Sequence, residues 1–141
     1  MTPIRFSIVL IVGVIAIVGC GSKTAIVNGV LVFSDKPDEP AKELEGYTIT
    51  FESVDGKASS VGTVGSDGKF TMSTFKDGDG ALRGKMKVAV TPPIQMSDAS
   101  IGPSKIDKRH HTFETSGLEA DIVPGTNNIT LKVDRLPAKP Q

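Results

Sequence analysis

Tryptophan is absent from this chain of 141 residues, tyrosine occurs once, and aromatic residues make up only 5% of it. Surfaces that bind carbohydrate or single-stranded nucleic acid depend on aromatic faces for stacking, and such platforms are missing here. Cysteine also occurs once, which excludes an internal disulfide framework and a thiolate metal cluster. No charge of one sign predominates, since 16 basic side chains stand against 16 acidic ones. The basic excess expected of a phosphate-backbone binder is therefore lacking. No stretch keeps the apolar period of an amphipathic helix. The Gly-x-Ser-x-Gly turn that exposes a nucleophilic serine is missing as well.

The longest apolar run covers residues 8–18, follows a single basic residue, Arg5, and ends at Gly19-Cys20-Gly21-Ser22. A membrane-crossing helix needs about 20 apolar residues, and this run is about a dozen long, which suits the apolar region of a secretory signal peptide. The sequence Ile17-Val18-Gly19-Cys20 resembles the lipobox of bacterial lipoproteins. That resemblance implies cleavage between Gly19 and Cys20, a diacylglyceryl group on the Cys20 sulfur, and acylation of the new amine. Each buried methylene of an acyl chain contributes about 0.8 kcal/mol, and one chain holds only reversibly, so several chains retain a protein durably. The expected partner is thus a membrane, reached through covalent lipid on Cys20, with the rest of the chain facing the periplasm or the cell exterior. Gly21 stands where an aspartate retains many enterobacterial lipoproteins at the inner membrane, which favours the outer membrane. Loss of residues 1–19 would remove only Arg5, leaving 15 basic against 16 acidic residues, a net charge of about −1.

Beyond residue 24 the pattern has period two, the mark of strands with one buried face. Tyr47, Ile49 and Phe51 alternate with Thr48, Thr50 and Glu52. The same alternation runs through Phe70 and Met72, through Met86, Val88 and Val90, and through Ile129, Leu131 and Val133. Residues 25–33 are apolar on both sides, as for a strand covered on both faces. Segments 60–64 and 118–123 complete a set of about seven strands, a number that suits an antiparallel β-sandwich. Between them lie Asp-Gly and Asn-containing turns at 54–57, 65–68, 76–80 and 124–127, whose residues tolerate positive φ. Two segments read as irregular: 34–46 as a connecting loop, and 92–112 as a connection long enough to be functional. The expected organisation is a signal peptide at 1–19, a lipidated tether at 20–24, a sandwich domain at 25–134 and a free tail at 135–141.

Several runs carry a family resemblance. Gly62-Thr-Val-Gly-Ser-Asp-Gly-Lys-Phe70 resembles the G-x-T-x-x-D-G-x-F hairpin of carboxypeptidase regulatory-like and transthyretin-like domains. Val27-Asn-Gly-Val-Leu-Val-Phe33 and Gly84-Lys-Met-Lys-Val-Ala-Val90 are similar to two further strands of that pattern, with Met86 where the family often has Tyr. Together with Phe75–Gly84, Thr115–Leu118 and Val123–Asn127, the chain resembles small lipoproteins of this type from planctomycetes. The resemblance implies a transthyretin-like (prealbumin-like) sandwich acting as an accessory module. One enzymatic branch of that fold hydrolyses hydroxyisourate and ends in Tyr-Arg-Gly-Ser. This chain instead ends in Asp134-Arg-Leu-Pro-Ala-Lys-Pro-Gln141, so that activity is not carried over.

Two clusters are candidates for metal. Adjacent His110 and His111 suit a transition-metal site in residue type, but an extended chain would point them to opposite faces, and Lys108-Arg109 would repel a cation. They read as a solvated basic loop. Asp77 and Asp79 alternate as in calcium loops, yet Leu82-Arg83 follows where a bidentate glutamate is needed, and they read as a hairpin turn. Tyr47 reads as core. No carboxylate pair is nominated for glycoside hydrolysis. The sequence therefore leads to a non-catalytic, lipid-anchored envelope module without a cofactor. Its alternatives are an accessory module that takes a protein or glycan partner through 92–112, and a hydrolase with an unrecognised site.

Overall fold

A computed structural model describes residues 23–95 and 100–138. The expected signal peptide at 1–19, with Gly19, and the expected lipidation site Cys20 fall outside the described residues. Among the described residues there are eleven strands: β1 (Thr24–Phe33), β2 (Lys36–Pro40), β3 (Thr48–Ser53), β4 (Ser59–Thr63), β5 (Lys69–Thr71), β6 (Ala81–Leu82), β7 (Gly84–Thr91), β8 (Ile94–Gln95), β9 (Ser100–Ile101), β10 (Leu118–Ile122) and β11 (Thr126–Val133). Two short 3₁₀ turns cover Lys42–Leu44 and Lys108–His111. Among the described residues no helix is long and apolar enough to cross a membrane.

The expected all-β sandwich is observed, and each of the seven strands expected from the sequence is in place. One sheet centres on β1, which pairs on one side with β11 and on the other with β6, β5 and β2 in turn. The other sheet has the order β10-β7-β3-β4 and is antiparallel throughout. The pairing of β1 with β11 is parallel, from Ile26 opposite Thr126 to Phe33 opposite Val133. A parallel neighbour requires a crossover, and here the chain passes from β10 in one sheet to β11 in the other through residues 123–125.

The core lies between the inner faces of the sheets. Val27, Leu31, Phe33, Phe70, Met72, Leu131 and Val133 come from the first, and Ile49, Phe51, Met86, Val88, Val90 and Ile122 from the second. Gly29 belongs to this inner face: Phe70 stands opposite it across β5, and a Cβ at Gly29 would run into the Phe70 ring. The glycine makes room for the only phenylalanine of β5. Asp-Gly turns behave as the sequence implies, with Gly56 at φ 70° and Gly68 at φ 76°, and Asp67 accepts a hydrogen bond from the Lys69 amide at 3.0 Å.

Three sequence expectations need correction. Residues 34–46 are not a plain loop, because 36–40 form β2 on the edge of β1 and Leu44 is fully buried. Residues 92–112 are not wholly irregular, since β8 and β9 pair and Ile106 sits in the core. β1 is also less covered than its apolar composition implies. Val32 is buried on the outer side, but Ile26 is exposed and Val30 only half-buried.

The register places the loops in two groups. Thr24 at the start of β1, the β3–β4 turn, Arg83 between β6 and β7, and the β10–β11 turn share one end of the sandwich. The end of β1, residues 41–47, the β4–β5 turn and segment 92–117 share the other. Ten extended residues set the two ends about 33 Å apart along β1.

Candidate functional site

The end of the sandwich far from residue 24 carries a network of polar and charged side chains around His110, Asp134 and Arg135. Segment 105–107 crosses this end beside residues 134–136: Ile106 bridges to Arg135, the Asp107 amide donates to Asp134 O, and the Leu136 amide donates to Lys105 O. Arg135 and Leu136, assigned by sequence to a free tail, are thus tied to the domain. Tyr47, buried as expected, turns its hydroxyl outward to accept from the Lys105 amide at 2.8 Å.

A cleft of about 400 Å³ opens here between Phe33, Lys36, Glu39, Lys42, Glu43 and Arg135. The Arg135 guanidinium lies 3.7 Å above the Phe33 ring centroid. It donates from Nε to Asp35 at 3.0 Å and from Nη1 to Glu43 at 2.7 Å. These two carboxylates, Glu43 first, raise the guanidinium further above its ordinary range. Lys36 in turn pairs with Glu39 at 3.5 Å. Two of the three cations that line the cleft, Arg135 and Lys36, thus already face carboxylates.

His110 contradicts the reading of a solvated basic loop. It sits on the 3₁₀ turn 108–111 with 1% of its surface exposed. Its Nδ1 lies 3.1 Å from Ser116 O, and its Nε2 receives the Asp134 amide at 3.0 Å. An amide N–H aimed at Nε2 fixes the neutral tautomer with the proton on Nδ1. The Asp134 carboxylate also lies 3.3 Å from Nε2 and by itself would favour the cation, but it is ion-paired to Arg109. Burial first, and then the Arg109 charge, hold His110 below the usual histidine range. Ser116 extends the network inward, donating its hydroxyl to Val88 O and accepting from the Leu118 amide at 3.1 Å. Asp107 starts the turn by accepting from the Arg109 amide at 3.0 Å.

His111 faces elsewhere. Its Nε2 is 3.0 Å from Ser104 Oγ, a spacing that matches a nucleophile and its base. The Ser104 hydroxyl, however, donates to Ile106 O at 2.7 Å, which leaves its oxygen as acceptor for an Nε2–H. Among the described residues no carboxylate forms an ion pair with His111. The pair therefore shapes the loop rather than activating a nucleophile. Burial, followed by the Lys108 charge, lowers the His111 pKa too.

The two aspartates of 76–80 part company. Asp79 accepts from the amides of Thr74 at 2.7 Å, Phe75 at 3.0 Å and Lys76 at 3.3 Å. The Thr74 bond is the largest cause of its lowered pKa. Asp79 organises its own loop, and Asp77 lies outside that set of bonds. Among the described residues no group of three His, Cys, Asp or Glu is arranged to hold a metal ion.

Sequence reasoning passed over Ser104, Ser116, Asp134 and Arg135. Their partners lie up to about a hundred residues away, as with Arg135 and Asp35, at a separation of 100, and no local pattern announces such pairs.

No protein-family model matches the chain, and no curated protein matches it in sequence. Among solved structures it is similar to a DUF3823 family protein from Parabacteroides merdae, at 12% identity and a TM-score of 0.43, with 79% of this chain covered. The chain spans 46% of that protein's length.

Since the fold holds His110 neutral and depresses its pKa, the unfolded chain takes up a proton first as pH falls. Stability is therefore complete above the ordinary histidine pKa of about 6.5 and falls as pH drops below it. Urea unfolding between about pH 7.5 and about pH 5 should show this decline. His110→Gln should flatten part of it, leaving the share due to His111, and should cost about 1–3 kcal/mol at neutral pH through the polar groups it strands.

Proposed function

We propose that this protein is a lipid-anchored, non-catalytic module of the bacterial cell envelope, a transthyretin-like sandwich held to a membrane through Cys20. The observation that carries the reading is the polarity of β1. Its first residue, Thr24, follows the lipobox-like Cys20 by four positions, and its last, Phe33, ends among the loops of the opposite end. A chain anchored at Cys20 would hold 41–47 and 92–117 away from the bilayer. The site chemistry supports a binding or structural role over hydrolysis. The Ser104 hydroxyl donates to a carbonyl, His110 spends both ring nitrogens on backbone groups, and Arg135 is shared between two carboxylates.

Intact mass and detergent partition of the full chain made in a bacterial host test the anchor. The expected species is residues 20–141 plus a diacylglyceryl group, partitioning into detergent, with partition lost in Cys20→Ser. An uncleaved, unmodified chain in the aqueous phase would contradict it.

A second reading is recognition of a protein or glycan through 92–112, favoured by Ile94, 70% exposed at the first position of the β8–β9 pair. Removing all of 92–112 would strip Ile106 and His110 from the interior, so the informative variant joins residues 93 and 102 and removes only the hairpin. Envelope partners captured by the intact domain should be lost from the shortened one; equal recovery from both would dismiss the hairpin as the contact.

A further inference from the structure

Four of the large apolar side chains that remain exposed lie toward the end of the sandwich where the described chain begins. Val54, 61% exposed, stands in the β3–β4 turn, and Val123, 52% exposed, in the β10–β11 turn. Phe75, 74% exposed, projects from the β5–β6 loop. That loop leaves the sheet after Met72, which bonds Val27, and returns at Ala81, opposite Ala25, so it sits at the level of the first residues of β1. Ile26 of β1 is the fourth. Burying these side chains in the core would satisfy the hydrophobic effect, yet three of them occupy separate turns and loops of one end and the fourth the outer face of β1.

The loop carrying Phe75 is braced. The Asp79 carboxylate gathers three successive amides, the Thr74 hydroxyl donates to Gly80 O at 2.8 Å, and Ser73 Oγ accepts from the Gly78 amide at 2.9 Å. A braced turn that presents its phenylalanine to solvent has the geometry of a preformed contact, with little ordering left to do on docking.

Lys23 and Arg83 are exposed at the same end, and the Arg83 amide donates to Lys23 O at 3.2 Å, which sets the two residues side by side. Only Gly21, Ser22 and Lys23 separate Cys20 from β1, and even fully extended this length spans at most about 14 Å. Resting on the lipid-anchor reading above, we infer that this end of the sandwich lies on the phospholipid surface, with Phe75, Val54 and Val123 entering the headgroup region beside Lys23 and Arg83. At this end Lys23, Lys57, Lys76, Arg83 and Lys85 outnumber Asp55, Asp77, Asp79 and Asp121, and apolar side chains set in a cationic excess are the composition that seats a domain at a bilayer interface. The short tether keeps this end within about 14 Å of the anchored residue.

The absence of tryptophan permits single-reporter variants. Phe75→Trp and Ile94→Trp place the probe at opposite ends of the lipidated full chain, reconstituted in vesicles of phosphatidylethanolamine and phosphatidylglycerol doped with lipid brominated near the headgroup. The expected result is a blue-shifted Phe75→Trp emission quenched several-fold more than that of Ile94→Trp. Equal quenching in a chain whose mass includes the lipid would overturn the inference and leave the anchor intact. A chain without the lipid mass would overturn the anchor reading and the inference with it. If Phe75→Trp emission shifts with protein concentration in the lipid-free Cys20→Ser background, a second copy covers the patch and the inference fails.

Discussion

Strand β1 is the constraint on which the rest of the sandwich depends. One edge is filled by β11 in parallel over eight residue pairs, and the other by β6, β5 and β2 in succession. Its inner face supplies Ala25, Val27, Leu31 and Phe33 to the core. A slip of one residue would turn that face outward and expose the set at once. Gly29 pins the register, because only there does the inner face leave a space for the Phe70 ring.

The crossings between sheets at the two ends are secured by buried polar side chains rather than by more apolar area. Near the start of β1, Asn127 accepts from the Val123 amide at 3.0 Å and donates to Val123 O at 2.9 Å and to Ile26 O at 3.2 Å. This locks the β10–β11 turn onto β1 and so fixes the parallel pairing. At the far end, His110 and Ser116 tie the 108–116 segment to β7 and to the residue after β11. No buried side-chain nitrogen or oxygen is left without a partner among the described residues, which is the condition under which buried polar networks specify a single arrangement instead of weakening it.

Much of the fold is legible in sequence because period-two alternation is a local signal. Ile49 and Phe51, or Met86, Val88 and Val90, declare their face without reference to any partner. β2 escaped notice because Lys36-Pro-Asp-Glu-Pro40 has turn-like composition and is an edge strand, where Pro and charge are tolerated. The parallel β1–β11 pairing was illegible, since direction depends on how the sheets cross. His110 was misread because its neighbours are Lys108, Arg109 and His111, while its burial is set by Ser116 and Asp134. Tyr47 is legible as core because it alternates with Thr48 and Thr50 in step with Ile49 and Phe51, and it is buried.

The account's central claim is that β1 carries the chain from a membrane-held end to a displayed one. Neutron reflectometry of the lipidated protein on a supported bilayer tests it directly. A sandwich standing on its residue-24 end should give a protein layer at least as thick as β1 is long, about 33 Å. A layer thinner than that strand, as from a domain lying on a sheet face, or no retained layer at all, would contradict the account.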